Sequence, residues 1–111
     1  MQYLVTMDLV DPDPLLDPRQ VLGMYKTAVF PVHEAIINLK AEGKILVGGC
    51  AVEERGTIAF IVEADSPEEL DALLQRIPSW GIAKREVTPL QAFEDRRDRD
   101  RQFAEQLEQS L

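Results

Sequence analysis

The sequence predicts an α+β domain built on one antiparallel sheet, and three observations support this prediction. Residues 45–52 and 57–64 are apolar, rich in β-branched side chains and joined by a charged turn, which predicts a central β-hairpin. Amphipathic helical stripes precede and follow this hairpin. An alternating run at residues 2–9 and a charged run at residues 82–88 add a first and a fourth strand. Because a hairpin alone is marginal in water, the helices must cover one of its faces.

The first two elements are a strand and a long helix. Residues 2–9 alternate in polarity and predict the strand, and a loop rich in proline follows at residues 11–14. Asp17 followed by Pro18 predicts a helix start, and the apolar stripe continues to the glycine at position 43. Pro31 removes one backbone hydrogen bond inside this stripe, which predicts a break near residues 27–30.

The second half of the chain predicts a helix, a strand and a tail. Ser66 and Glu69 form a capping-box pattern, and Pro78 ends the helix that follows. Residues 82–88 form a charged strand suited to a sheet edge, which Pro89 closes. The domain therefore covers residues 1–90. Residues 91–111 form a charged helical tail, either solvated or docked on a neighbouring subunit through a thin apolar stripe. The stripe comprises Phe93, Phe103, Leu107 and Leu111.

The element order, strand, helix, strand, strand, helix, strand, is that of a ferredoxin-like βαββαβ fold. Right-handed crossovers place both helices on one face of a four-stranded antiparallel sheet. The second and third strands are nevertheless apolar on both faces. Since an uncovered face should be polar, we expect a second copy of the chain to cover it in a homodimer or a larger homo-oligomer.

Composition limits the classes of function. The 111 residues suit one domain, and a net charge of −8 disfavours nucleic acid and anionic membranes as partners. Neither a run of about 20 apolar residues nor a signal-peptide pattern is found, which predicts a cytoplasmic protein. With one cysteine and one histidine in the chain, the sequence predicts no metal site and no cofactor.

Five residues are candidates for a site. His33 borders the apolar side of the first helix and is a candidate proton shuttle, although a histidine beside a core is commonly structural. Tyr3 and Tyr25 could present hydroxyl groups to a ligand, or be core residues. Cys50 could contact a ligand, or be a small buried residue. Trp80, in the turn before the last strand, could cap a pocket or lie at a subunit contact.

Framework motifs lie at Glu42-Gly43-Lys44, Ser66 to Leu70, Ile77-Pro78 and Glu86 to Leu90. Through these motifs, about the first ninety residues resemble the dimeric α/β-barrel proteins, chiefly the muconolactone isomerase-like group and the YCII-related proteins. The resemblance implies a ferredoxin-like dimer that moves a carbon–carbon double bond in a small lactone acid by proton transfer. In the YCII-related proteins a first-helix histidine pairs with an aspartate before a proline. The matching positions here are His33 and Ile77.

Two functions stay open. The first is a homo-oligomeric protein that binds a small metabolite between sheet and helices and isomerises it in the manner of muconolactone isomerase. The second is a non-catalytic binding or assembly protein that uses the barrel interface and the charged tail. One observation favours this second function: the second strand lacks the His, Trp and Arg residues typical of the isomerase group. A cavity lined by His33 and a tyrosine would favour the first function, and a closed core would favour the second.

Overall fold

The computed structural model describes residues 1–9, 15–52, 56–79, 81 and 83–111. Within these residues, four strands form one antiparallel sheet in the order β2-β3-β1-β4. The strands are β1 (Gln2–Leu9), β2 (Ile45–Cys50), β3 (Thr57–Glu63) and β4 (Ala83–Leu90). The helices are α1 (Pro18–Met24), α2 (Phe30–Ala41), α3 (Pro67–Gln75) and α4 (Phe93–Ser110), and a π-helical turn, Tyr25–Val29, joins α1 to α2. This arrangement confirms the predicted ferredoxin-like fold.

The core lies between one face of the sheet and the helices α2 and α3. Alternate residues of β1 and β3 point to this face, and their opposed positions in the register place them in rows across the sheet. Because residues of both helices join the same buried cluster, both helices lie on one face, as the crossover rule predicts. The main members of the cluster are Tyr3, Val5, Met7, Val32, Leu39, Ile58, Phe60, Val62, Leu70, Leu73 and Leu74.

Both predicted helix starts are capped by side chains. Asp17 Oδ1 accepts from the Gln20 N–H at 2.9 Å, and Gln20 Oε1 accepts from the Asp17 N–H at 3.0 Å. At α3, Ser66 Oγ accepts from the Glu69 N–H at 3.1 Å. The Glu69 carboxylate accepts from the N–H of Asp65 at 2.9 Å, one residue before the predicted partner. Each cap satisfies donors that the first helical turn leaves free.

The first helix is interrupted before Pro31, as its sequence predicts. The Phe30 N–H bonds to the Tyr25 carbonyl five residues earlier, and Thr27 Oγ1 donates to the Gly23 carbonyl at 2.8 Å. The wider π turn rotates α2 relative to α1. The buried positions of the two helices therefore do not follow one continuous 3.6-residue repeat. Val29 and Val32 are buried, whereas Tyr25, a candidate core residue in the sequence, is exposed.

The prediction that Pro89 closes the last strand was wrong. β4 continues to Leu90, and Pro89 pairs with Tyr3 of β1. Proline is tolerated here because β4 is an edge strand, and an N–H on its outer side would have no strand to bond. The predicted loop at 11–14, residues 53–55 of the hairpin turn and the first residue of the predicted strand, Ile82, lie outside the described residues.

The second face of the sheet carries no helix among the described residues, and we call it the open face. Its centre is apolar: the half-buried Leu4 and Ile61 lie in one row with Val47, whose side chain is 57% exposed. Toward β4 the face becomes polar, with Glu86 opposite Thr6. A second copy covering the open face stays a prediction.

Helix α4 projects away from the sheet. Every residue of α4 is exposed, and the molecule measures 66 × 32 × 24 Å. The radius of gyration of 18.8 Å exceeds the value of about 13 Å for a compact chain of this length. In the described part of the chain, no helix has the length and apolar character needed to cross a membrane.

Candidate functional site

A cavity of about 210 Å³ lies between α2 and the strands β2 and β3, on the face of the sheet that carries the helices. This volume is below the range of about 300–1,000 Å³ that is typical for drug-sized ligands, so the cavity suits a smaller molecule. Its lining residues are His33, Ile36, Ile37, Lys40, Ile45, Gly48, Gly49, Cys50, Ile58, Ala59 and Phe60.

Helix α2 provides one wall of the cavity. His33, Ile36, Ile37 and Lys40 are spaced by three, one and three residues, which places them on one side of a helix. Pro31 lies in the first turn of α2, directly after the π turn, so His33 belongs to the first turn as well. The local break at Pro31 therefore determines which residues of α2 point toward β2.

The edge strand β2 provides the floor. The register shifts between Ile45 and Val47, and Gly48 then lies opposite Phe60. A Cβ at Gly48 would lie 2.5 Å from both the Ala59 carbonyl oxygen and Phe60 Cβ, whereas a Cβ at Gly49 would meet no atom within 4 Å. Gly48 is thus required by a close approach of two strands. The irregularity leaves Cys50 opposite Ile58 on the side that faces the helices.

Three polar side chains lie among the described residues that line this apolar cavity. His33 is half-buried, and its imidazole makes no hydrogen bond with the described residues. Lys40 is exposed and forms no ion pair with the described residues, and Cys50 is an exposed free thiol. The cavity therefore offers a group that can accept and return a proton, a cation and a soft nucleophile.

The structure brings together two of the five predicted site residues, His33 and Cys50. Tyr3 is in the core and Tyr25 is exposed with its ring 6.0 Å from that of Phe30, so neither lines the cavity. Trp80 lies outside the described residues. Sequence reasoning missed Lys40, although its position seven residues after His33 places both on one helix side.

Comparison with known proteins identifies the family. The model of the muconolactone delta-isomerase family matches residues 1–96. The chain belongs to the muconolactone delta-isomerase family. A crystal structure of muconolactone isomerase is similar, with a TM-score of 0.62 and 20% sequence identity over 83% of this chain and 90% of that chain. No curated protein sequence matches the chain.

This member of the muconolactone delta-isomerase family carries an extension. The family match ends at residue 96, whereas α4 runs from Phe93 to Ser110, so most of α4 lies beyond the shared domain. The cavity lies wholly within the matched residues. The residues of the cavity are therefore separate in sequence from the extension, and the YCII-related resemblance stays a prediction.

Proposed function

We propose that the protein is an isomerase that binds a small lactone acid in the cavity beside α2 and shifts a carbon–carbon double bond by proton transfer. One observation carries this proposal: the half-buried imidazole of His33 lines an apolar cavity together with the cation Lys40. Membership of the muconolactone delta-isomerase family supports the reaction class.

In the proposed reaction His33 acts first as a base and then as an acid. The neutral imidazole takes a proton from the carbon beside the unsaturated system, and the electron pair of that C–H bond moves into the conjugated system as an enolate. The imidazolium then returns the proton to the far end of this system, which leaves the double bond moved by one position. No oxidant or reductant is consumed, and the enzyme regains its starting protonation state.

Lys40 and the apolar lining assist this transfer. The Lys40 ammonium group is suited to hold the substrate carboxylate at the cavity mouth, where it also opposes the negative charge that develops on the enolate. Apolar walls such as Ile36 and Ile58 reduce the amount of water beside the ligand, which strengthens these charge interactions. In this proposal Cys50 contacts the ligand and takes no part in the proton transfer.

The proposed enzyme is a homo-oligomer, with the open face of the sheet as the first interface. Support comes from the apolar centre of the open face, in which Val47 is 57% exposed beside Ile61. A second sheet laid on this face would remove that apolar area from water, as in other two-fold assemblies. The cavity lies on the opposite side of the sheet, so this interface would leave it accessible.

A ligand screen tests the proposal. The thermal midpoint is measured with and without lactones, hydroxy acids and intermediates of aromatic degradation, for the wild type, His33→Ala and the exposed-site control Asn38→Ala. A ligand at about one hundred times its Kd adds about 2.7 kcal/mol, which raises the midpoint by roughly 10 °C in a domain of about 100 residues. We expect a ligand-dependent shift in the wild type and the control, and turnover of that ligand only when His33 is present.

The rival function is a non-catalytic binding or assembly protein. Two observations favour the rival function. Cys50 is the one side chain of β2 able to exchange a proton. The extension α4 is exposed. If no ligand raises the midpoint and His33→Ala merely lowers the stability of the unliganded protein, His33 is structural and the rival function is preferred.

A further inference from the structure

The cavity beside α2 has two different ends, because α2 and β2 run along it in opposite directions. A short turn at residues 42–44, closed by backbone hydrogen bonds, joins the two elements, and both line the cavity. Lys40, near the end of α2, therefore lies beside Ile45 at the start of β2. His33 lies about 10 Å farther back along the helix axis, which places it toward Cys50 at the other end of β2.

The two ends of the cavity differ in burial along β2. Ile45 is 4% exposed and belongs to the buried core, whereas Cys50 is an exposed free thiol. The strand side of the cavity is therefore closed at Ile45 and open at Cys50. A ligand whose carboxylate lies near Lys40 directs its opposite end toward this opening.

Two small residues of β2 create the space in the open half of the cavity. Gly48 lies opposite the buried Phe60 in the register. Cys50 lies opposite the buried Ile58, so both small residues point to the face that carries the helices. Gly48 cannot carry a side chain, because its Cβ would lie 2.5 Å from the Ala59 carbonyl oxygen. Cys50 is thus the position in this half of β2 at which a change of side chain changes the width of the cavity.

We propose that Cys50 determines the substrate specificity of this site: the cavity takes lactone acids with a small alkyl group on the end of the ring remote from the carboxylate, and Cys50 limits the size of that group. This inference rests on the proposed function, in which Lys40 holds the carboxylate and His33 transfers the proton. A cysteine side chain behaves as a small apolar group, and the adjacent lining residues Ile58 and Phe60 are apolar as well. An alkyl group is therefore favoured over a hydroxyl group, which would lose its hydrogen bonds to water.

Binding of a matched series of ligands tests this inference. The probe is an unsaturated five-membered lactone with a carboxymethyl group, either unsubstituted or with a methyl or isopropyl group on the ring carbon beside the carbonyl. Isothermal titration calorimetry measures the Kd of each compound. We expect Cys50→Leu to weaken binding of the methyl compound about tenfold more than binding of the unsubstituted one, because leucine fills the space of the substituent. Cys50→Ala should bind the isopropyl compound more tightly than the wild type does.

Ala51→Leu is the matched control for the Cys50 variants. The Ala51 N–H bonds to the Thr57 carbonyl at 2.9 Å, and its side chain follows Cys50 and so points to the opposite face of the sheet. This variant should keep the wild-type ratio of affinities. Cys50→Val adds less volume than leucine and should give an intermediate ratio, which preserves the test if leucine disturbs folding. A wild-type ratio in both larger variants, with binding retained, would overturn the inference and leave the proposed function intact. If no probe binds the wild type, the proposed function fails and the inference fails with it.

Discussion

Pro31 affects the candidate site through the backbone of the first helical region. It has no N–H to donate, and the helix responds with the π turn at Tyr25–Val29 before regular geometry resumes. His33, two residues later, begins the row that continues through Ile36 to Lys40 along the cavity wall. A backbone constraint thus selects which side chains of α2 reach the cavity.

Lys40→Gln tests the proposed role of the cation. We expect the variant to bind a carboxylate ligand about fivefold more weakly, because an ion pair at a partly exposed site contributes up to about 1 kcal/mol. Binding of an uncharged lactone of the same shape should not change. Lys44→Gln is the matched control, since Lys44 is exposed and does not line the cavity. Isothermal titration calorimetry measures the affinities. Equal losses of affinity in both variants would show that Lys40 does not bind the carboxylate of the ligand.

Gly48 and Gly49 are adjacent but differ in the space around them, so their alanine variants can be compared directly. A methyl group at Gly48 would collide with the backbone of β3, so Gly48→Ala should lower the free energy of unfolding by about 1–3 kcal/mol. Gly49→Ala meets open space and should be neutral or slightly stabilising, because alanine reduces the freedom of the unfolded chain. Urea titration followed by circular dichroism compares the two. Similar losses for both would show that strand flexibility, and not the collision, is the cause.

The elements themselves were largely predictable from the sequence, because their signals are local. The alternation of β1, the caps Asp17 and Ser66 and the buried stripe of α3 each depend on residues a few positions apart. The site was only partly predictable, because it depends on register. The register of β2 shifts after Ile45, which brings Cys50 to the face of the sheet on which the helix with His33 lies. This shift depends on pairing with β3, which no local pattern specifies.

The helix cap of α3 provides a test of an element. Ser66→Ala removes the acceptor for the Glu69 N–H and should cost about 1 kcal/mol of stability. Ser110→Ala, at the end of α4, removes only an exposed bond to the Leu107 carbonyl and should leave the unfolding midpoint unchanged. Thermal unfolding of both variants gives the comparison. A Ser66→Ala midpoint equal to that of the wild type would mean that Glu69 and solvent replace the cap.

At the scale of the whole molecule, the two faces of the sheet should respond differently to charge. Phe60 is 2% exposed in the core, so Phe60→Glu should prevent folding. Val47 lies on the open face, so Val47→Glu should retain the native circular dichroism spectrum while dissociating the proposed sheet-to-sheet dimer. Light scattering coupled to size-exclusion chromatography measures the mass. A Val47→Glu variant with wild-type mass would place the interface elsewhere.

The two edges of the sheet differ in their protection against aggregation. The β4 edge carries Lys84, Arg85, Glu86 and Pro89, which discourage another strand from adding to it. The β2 edge, Ile45–Cys50, has neither a charged residue nor a proline. When the protein is heated, or diluted so that the proposed homo-oligomer dissociates, intermolecular β-structure should therefore grow from β2, and any assembly that shields this edge would also protect the chain against fibre formation.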